Sequence, residues 1–406
     1  MNPKDLSIDD FTYELPHEKI ALYPAHPRDS SKLLIFNKGQ ISEDIYRNLS
    51  NYLPQDSVLV FNDTRVIKSR FFFPKPTGAV IEIFCLEPFE KYADYDTLFN
   101  QTDSSLWKCM IGKAGKWKEK QLSRVIMIND TEVTLKAELI EKVSDAYVVR
   151  FSWSPYHFTL GEVLSVAGVT PLPPYIRRKA TKDDEEDYQT IYSVHEGSVA
   201  APTAGLHFTS EMMEEFHDKH IPTLFTTLHV GAGTFKPVKS ETMEGHKMHA
   251  EWMNLSIEFL EQLLANLNNK IISVGTTATR TLESIFWMGN KILNQKNISY
   301  ETLKLSQWEI YEPQEIHSPQ KAVNALVDWM KNEDLSHLMI ETEIIIAPGY
   351  SYKIISGLIT NFHQPKSTLL LLVAALAGDK WKMIYDYALH HQFRFLSYGD
   401  GCLILP

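Results

Sequence analysis

The residues best suited to chemistry are histidines, acids and hydroxyls in short segments rich in glycine and threonine. APTAGLHFT (Ala201–Thr209) sets His207 behind a loop of small residues. LHVGAGTF (Leu228–Phe235) sets His229 at an expected strand end, before Gly231, Gly233 and Thr234. Such glycines let a backbone approach a ligand closely. GTTATRTLE (Gly275–Glu283) puts the Thr276 and Thr277 hydroxyls at an expected helix start, where free N–H groups favour anions. Glu283 is placed to complete a capping arrangement there. HKMHAE supplies His246, His249 and Glu251. Their spacing is not that of HExxH and no loop cysteine supports a metal, so hydrogen bonding to a polar substrate is the expected use and no metal is expected. Isolated histidines such as His337 and His390 read as structural or surface groups.

Other patterns exclude chemistries. GAGTF lacks the third glycine of a dinucleotide-binding turn and runs toward a proline rather than a helix. PKST (Pro365–Thr368) lacks the upstream glycine of a phosphate-binding loop and more simply opens a helix. The stretch Lys108–Arg124 interleaves Lys108, Lys113, Lys116, Lys118, Lys120 and Arg124 with Trp107 and Trp117. It is either a solvated hairpin or a phosphate-contacting face. Arg177, Arg178 and Lys179 form a smaller basic cluster, and DDEED (Asp183–Asp187) reads as a solvated loop.

These segments need elements to position them. From about Lys68 to Trp153 the chain is a series of short apolar or alternating runs rich in β-branched and aromatic residues, with no convincing helix between them. That texture predicts a small antiparallel barrel or sandwich. Before it, LLIF (Leu33–Phe36) and SVLVF (Ser57–Phe61) read as strands. After PLPPYIRR (Pro171–Arg178), which must be extended, strands run into polar loops and then helices. This is α/β grammar, with functional groups at strand C-terminal ends. The expected architecture is an α/β main domain from residues 1–67 and 154–406, with a β-barrel inserted at 68–153.

The 406 residues exceed one ordinary core, and 44% hydrophobic with 22% charged residues excludes a disordered or fibrous chain. A net charge of −11 excludes a generic basic nucleic-acid coat but leaves room for one basic face. Cys85, Cys109 and Cys402 lie far apart, without a CxxC pair, which suits a reducing compartment. The start has no signal-peptide core, and the longest apolar run, Leu369–Ala377, is far shorter than a membrane span. A soluble cytoplasmic protein is expected.

Taken together, the blocks FTYELPHEKIALYPAHPRDSSKLL, VFNDTRV, PLPPYIRR with YQTIYS, AAPTAGLHFT, TLHVGAGTFKPV, HKMHAEW, VGTTATRTLES, APGYSY, LITNFHQPKSTLLLLVAALAG and FRFLSYGDGCLIL resemble one family. It is the S-adenosylmethionine:tRNA ribosyltransferase-isomerases of queuosine biosynthesis. The blocks run in the family's order from Phe11 to Leu405. Lys32 stands where the family usually has Arg, Gln364 where it has Leu, and the ending reads GDGCLIL rather than GDAMLI. The stretches Glu87–Ser105 and Met288–Glu343 are expanded, and insertions are where partner recognition diverges.

The resemblance implies a reaction. The ribosyl part of S-adenosylmethionine moves onto the aminomethyl group of 7-aminomethyl-7-deazaguanine at the tRNA wobble position and isomerises to the epoxycyclopentanediol of epoxyqueuosine. Adenine and methionine leave. S-adenosylmethionine is then a consumed substrate, no cofactor is implied, and a monomer is expected. A base must act beside the sulfonium, and the amine must lose a proton. His207 or His229 is the favoured base, with Asp63 and Asp400 also placed among the catalytic residues; Asp63 and Arg65 order the site or touch the substrate. Thr276, Thr277 and Arg280 are candidates for the methionine carboxylate or a tRNA phosphate. Tyr175, Asn361, His363 and Tyr398, with Asp400, should close the same pocket, joined by Gly231, Gly233, Thr234, His246, His249 and Glu251 as substrate-binding residues. Arg177, Arg178, Lys179, Lys116 and Lys118 are the expected tRNA contacts. Two alternatives are a paralogue with the same donor chemistry on another RNA or base and a catalytically inactive tRNA-binding protein. A metal hydrolase built on HKMHAE is a weaker third.

Overall fold

The computed structural model describes residues 3–90, 95–143, 146–231, 238, 240 and 242–406. Gly233 and Thr234 lie outside them. Two sheets dominate, one in a barrel domain and one in an α/β domain.

The larger sheet has nine strands. Across it, they run His337–Thr342, Glu251–Ser256, Thr223–His229, Ser57–Asn62, Lys270–Val274, Gly357–Asn361, Gly401–Leu405, Lys32–Asn37 and Gln40–Ile45. The four from Thr223–His229 to Gly357–Asn361 are mutually parallel, so their C-terminal ends share one edge. Both faces of the centre are buried, and residues alternate between them as the period of two requires. Leu34, Phe36, Val58, Val60 and Ile271 join one core with the helices Gly275–Asn294, Pro319–Asn332 and Thr368–Ala377. Leu33, Ile35, Leu59, Phe61 and Ile272 join another with Phe208, Met212 and Phe216.

The expanded stretch 288–343 builds part of this domain. Helix Pro319–Asn332 starts on the Ser318 cap and packs on helix Gly275–Asn294. The two approach so closely at Gly289 that a Cβ there would fall 1.9 Å from the Ala322 carbonyl oxygen. Strand His337–Thr342 then extends the sheet beside Glu251–Ser256.

The smaller domain is an antiparallel sheet ordered Arg70–Pro74, Val80–Pro88, Ser104–Gly112, Ala146–Ser154, Thr131–Val143 and Gln121–Ile128. Phe71, Phe73, Ile83, Trp107, Leu135, Phe151 and Trp153 fill its interior. Arg124 ties the outer strands together, donating to the Phe72 and Ala167 carbonyls at 2.9 and 2.8 Å. One short helix, Tyr95–Phe99, interrupts the expected all-strand series. No helix among the described residues is long and apolar enough to cross a membrane.

The DDEED run departs from its expected character. It forms a short helix, Asp184–Asp187, and Asp184 is buried. Its carboxylate receives both terminal nitrogens of Arg178 at 2.6 Å, the Thr181 N–H and the Tyr398 hydroxyl. The Arg178 Nε donates to the Leu22 carbonyl, and the guanidinium stacks 4.1 Å from the Tyr23 ring centroid. Arg178 is therefore a clamp between three chain segments rather than a phosphate contact. Arg177 and Lys179 beside it are exposed.

Candidate active site

A cavity opens at the C-terminal edge of the parallel strands, lined by residues from several distant segments of the chain. Chain geometry brings its walls together. Strand Thr223–His229 delivers Val230, strand Lys270–Val274 delivers Gly275, Thr276 and Thr277, and strand Gly357–Asn361 delivers Asn361, Phe362 and His363. Ala200–Ala204 supplies a wall of small residues, and Tyr175 bonds Ser397 across the chain at 2.6 Å. Burial pushes the Tyr175 phenol up to about 12, so it stays a neutral hydroxyl.

Helix Gly275–Asn294 starts at this cavity without a side-chain cap, and Gly275 turns the chain into it with φ +88°. Its first N–H groups have no intrahelical partner by construction. The Thr277 hydroxyl is buried without a hydrogen bond. Glu283 does not cap this end, as the sequence left open. It is buried, and its carboxylate accepts from the Tyr350 hydroxyl and the backbone N–H groups of Lys353, Ile354 and Ile355.

His207 lies beneath the cavity wall. Its Nδ1 lies 3.0 Å from the Ser31 hydroxyl and its Nε2 is 3.1 Å from the Asn361 amide, while Tyr46 stacks on the ring. Ser31 donates to the Arg28 carbonyl, and Asn361 accepts from Thr203 through its oxygen. The consistent tautomer is Nδ1–H, with Nε2 accepting from Asn361. Both ring nitrogens are engaged, so His207 orients Asn361 and has no nitrogen left to act as a base. Burial pushes its imidazole down to about 4. His363 does line the cavity, with Nε2 on the Thr360 hydroxyl at 2.8 Å, and burial lowers it to about 4 as well.

His229 and Asp63 form a separate group with His195, which the sequence reading passed over. The Asp63 carboxylate accepts from Thr227 at 2.7 Å and lies 3.9 Å from His195 Nε2. Burial pushes that carboxyl up. His229 Nδ1 meets the Thr64 hydroxyl at 3.0 Å, its ring packs on Tyr95, and burial pushes it down to about 3. Arg65 is half exposed, 3.9 Å from Glu196. The missed signal is the glycine in VHEGSVA. Gly197 has φ +145°, and a Cβ there would lie 2.6 Å from His229 Nδ1.

Two expected members of the pocket lie elsewhere. Asp400 is consumed by the Lys32 and Arg394 backbone N–H groups and the Arg394 guanidinium, which hold the C-terminal strand to the first. Tyr398 points to Asp184. Tyr398 directly follows Ser397 on the wall, but both side chains are buried in the structure.

His246, His249, Glu251 and Arg280 line a second chamber with Met248, Ile344–Ile346, Thr368, Leu369 and Leu372. Leu369 borders both spaces. Glu251 pairs with Arg280 Nη1. Burial, then the neighbouring His249, lowers His246. Among the described residues no group of three or more His, Cys, Asp or Glu side chains gathers as a metal site would require. Gly231, partly exposed, follows Val230 out of the main cavity. Lys116 and Lys118 are exposed on the barrel.

The chain is similar to known proteins over nearly its whole length. Residues 8–404 match the family model described as queuosine biosynthesis protein. S-adenosylmethionine:tRNA ribosyltransferase-isomerases from Desulfitobacterium hafniense and Acetivibrio thermocellus are each 37% identical, across 98% of this chain and 100% of theirs. That from Halothermothrix orenii is 34% identical over the same shares. The crystal structure of S-adenosylmethionine tRNA ribosyltransferase from Thermotoga maritima is 26% identical, with TM-score 0.46, over 98% of this chain and 100% of that one. The chain belongs to the queuosine biosynthesis protein family.

Proposed function

We propose that this protein is an S-adenosylmethionine:tRNA ribosyltransferase-isomerase. It moves the ribosyl group of S-adenosylmethionine onto 7-aminomethyl-7-deazaguanine in tRNA, isomerises it to the epoxyqueuosine ring, and releases adenine and methionine. The observation that carries this reading is the meeting, in one cavity, of segments that the chain keeps far apart: Ala200–Ala204, Gly275–Thr277 and Asn361–His363. Each belongs to a block the chain has in common with the family.

The cavity suits the donor. Val230, Phe362, Leu369 and Leu396 offer an apolar wall for a purine, while Thr276, Thr277, Thr203 and Asn361 offer hydroxyls and an amide for the ribose. Forming the ylide requires removal of a proton beside the sulfonium. His363 is the histidine on the cavity wall and is neutral at pH 7, the form that accepts a proton. His207 acts through Asn361 as a positioning residue. The Asp63–His195–His229 group, whose His229 precedes Val230 of the cavity wall, is a second proton-handling group for the acceptor amine.

We read residues 1–67 and 154–406 as the catalytic domain and 68–153 as the inserted barrel, since the six barrel strands fall within 70–154. The enzyme works as a cytoplasmic monomer without a cofactor. Mixing it with S-adenosylmethionine and tRNA carrying 7-aminomethyl-7-deazaguanine should release adenine and methionine in equal amounts, at a rate unchanged by exhaustive chelation. Equal release with tRNA lacking that base would favour the paralogue, and no release would favour the inactive binder. A rate restored only by zinc would return the HKMHAE segment to a metal role.

A further inference from the structure

The second chamber carries an assignment of its own. Arg280 is buried, and Glu251 engages its guanidinium through Nη1 alone. The remaining edge, Nε and Nη2, is buried with no hydrogen bond. Those two N–H groups are parallel, the fork that receives a carboxylate in bidentate fashion. Leaving such donors buried and unmet is costly, which is the mark of a site shaped for a ligand. Thr368 and Leu369, the first residues of helix Thr368–Ala377, line the same chamber. Their N–H groups lie in the first turn, whose dipole adds a second source of positive potential. The Glu251 carboxylate, in contact with Arg280 Nη1, borders the same chamber. His246 and His249 also border the chamber, and the rest of its wall, Met248, Ile344–Ile346, Leu369 and Leu372, is apolar.

A fork for a carboxylate, a carboxylate beside it and an apolar lining make a charge-balanced site for a zwitterion with an aliphatic tail. Resting on the donor reading above, we propose that this chamber holds the α-amino-acid end of S-adenosylmethionine. Arg280 Nε and Nη2 take the α-carboxylate, and Glu251 takes the α-ammonium. The methylene chain runs past Leu369, the residue shared with the main cavity, where the sulfonium and ribose lie. This gives the carboxylate to Arg280 rather than to the helix start at Thr276 and Thr277.

The test is calorimetric titration with L-methionine and with L-methioninamide, which lacks the anionic carboxylate. The parent should bind the acid on the order of 10- to 100-fold more tightly, the span expected for charge-assisted hydrogen bonds. Arg280→Lys keeps the charge and loses the fork, and should bring the acid-to-amide ratio below about threefold. Equal binding of acid and amide by the parent would overturn the assignment without any variant. So would an Arg280→Lys protein, folded by circular dichroism, that keeps the parental ratio. Failure of the donor reading has a different signature: methionine binds as stated, but no adenine is released with the modified tRNA.

Discussion

At the scale of single residues, the histidines around the site carry a thermodynamic signature. Burial lowers His207 and His363 to about 4 and His229 to about 3, each below the ordinary imidazole value. Between about pH 6.5 and those values the unfolded chain binds protons that the folded chain refuses. Their contribution to stability is therefore complete above about pH 6.5 and is lost as the pH falls toward 4 and then 3, by about 1.4 kcal/mol per pH unit for each histidine. Urea unfolding at several pH values from 7.5 to 4.5 should show this fall. His207→Gln removes one titrating group and should reduce the slope by about 1.4 kcal/mol per unit. A slope equal to the parent's would mean that His207 titrates normally in the folded protein. The same residue shows where sequence reasoning stops. Its place behind APTAGL marks it as a site residue, but its partners Ser31 and Asn361 come from opposite ends of the chain, and only their convergence occupies both ring nitrogens.

At the scale of elements, helix Gly275–Asn294 has several roles along its length. Its start faces the main cavity, Arg280 reaches the second chamber, Glu283 anchors the segment Tyr350–Ile355, and Gly289 admits its partner helix. Glu283 is the most exposed to test. Glu283→Ala strands three backbone N–H groups and the Tyr350 hydroxyl, and should cost about 3 kcal/mol or more. Amide exchange at Lys353, Ile354 and Ile355 should quicken while barrel amides keep their protection. Unchanged exchange there would show the segment is held by its own packing. The helix is legible because VGTTATR places a glycine and hydroxyls between a β-branched run and an apolar stripe. The barrel is legible because Arg70–Ser154 alternates with period two. Glu283's role is not, because a carboxylate eight residues into a helix reads as a cap or a solvated face until the APGYSY segment folds over it. Asp184 is the same case: in DDEED it looks solvated, and only Arg178 and Tyr398 make its burial stable.

At the scale of the whole molecule, a chain of net charge −11 must hold a polyanion through a local positive face. The clamp on Asp184 removes Arg178 from that face and leaves Arg177 and Lys179, both exposed. Tyr175 lines the main cavity, and Arg177 follows two residues on, at most about 7 Å away. Lys116 and Lys118 on the barrel form the other candidate contact, exposed beside Lys113 and Lys120. Each phosphate contact releases counterions, so the dependence of binding on salt counts contacts. Replacing Arg177 and Lys179 by alanine should raise KM for tRNA and flatten the plot of log affinity against log salt by about one to two units. Methionine binding should be unaffected, since neither residue lines the second chamber. Arg178→Ala should behave oppositely: it leaves Asp184 buried and unpaired, a loss of about 3–5 kcal/mol of stability, while the salt slope of the folded fraction stays that of the parent. If the Arg177–Lys179 double variant keeps the parental salt slope, the phosphate contacts belong to the barrel lysines, and Lys116→Ala with Lys118→Ala must then carry the loss.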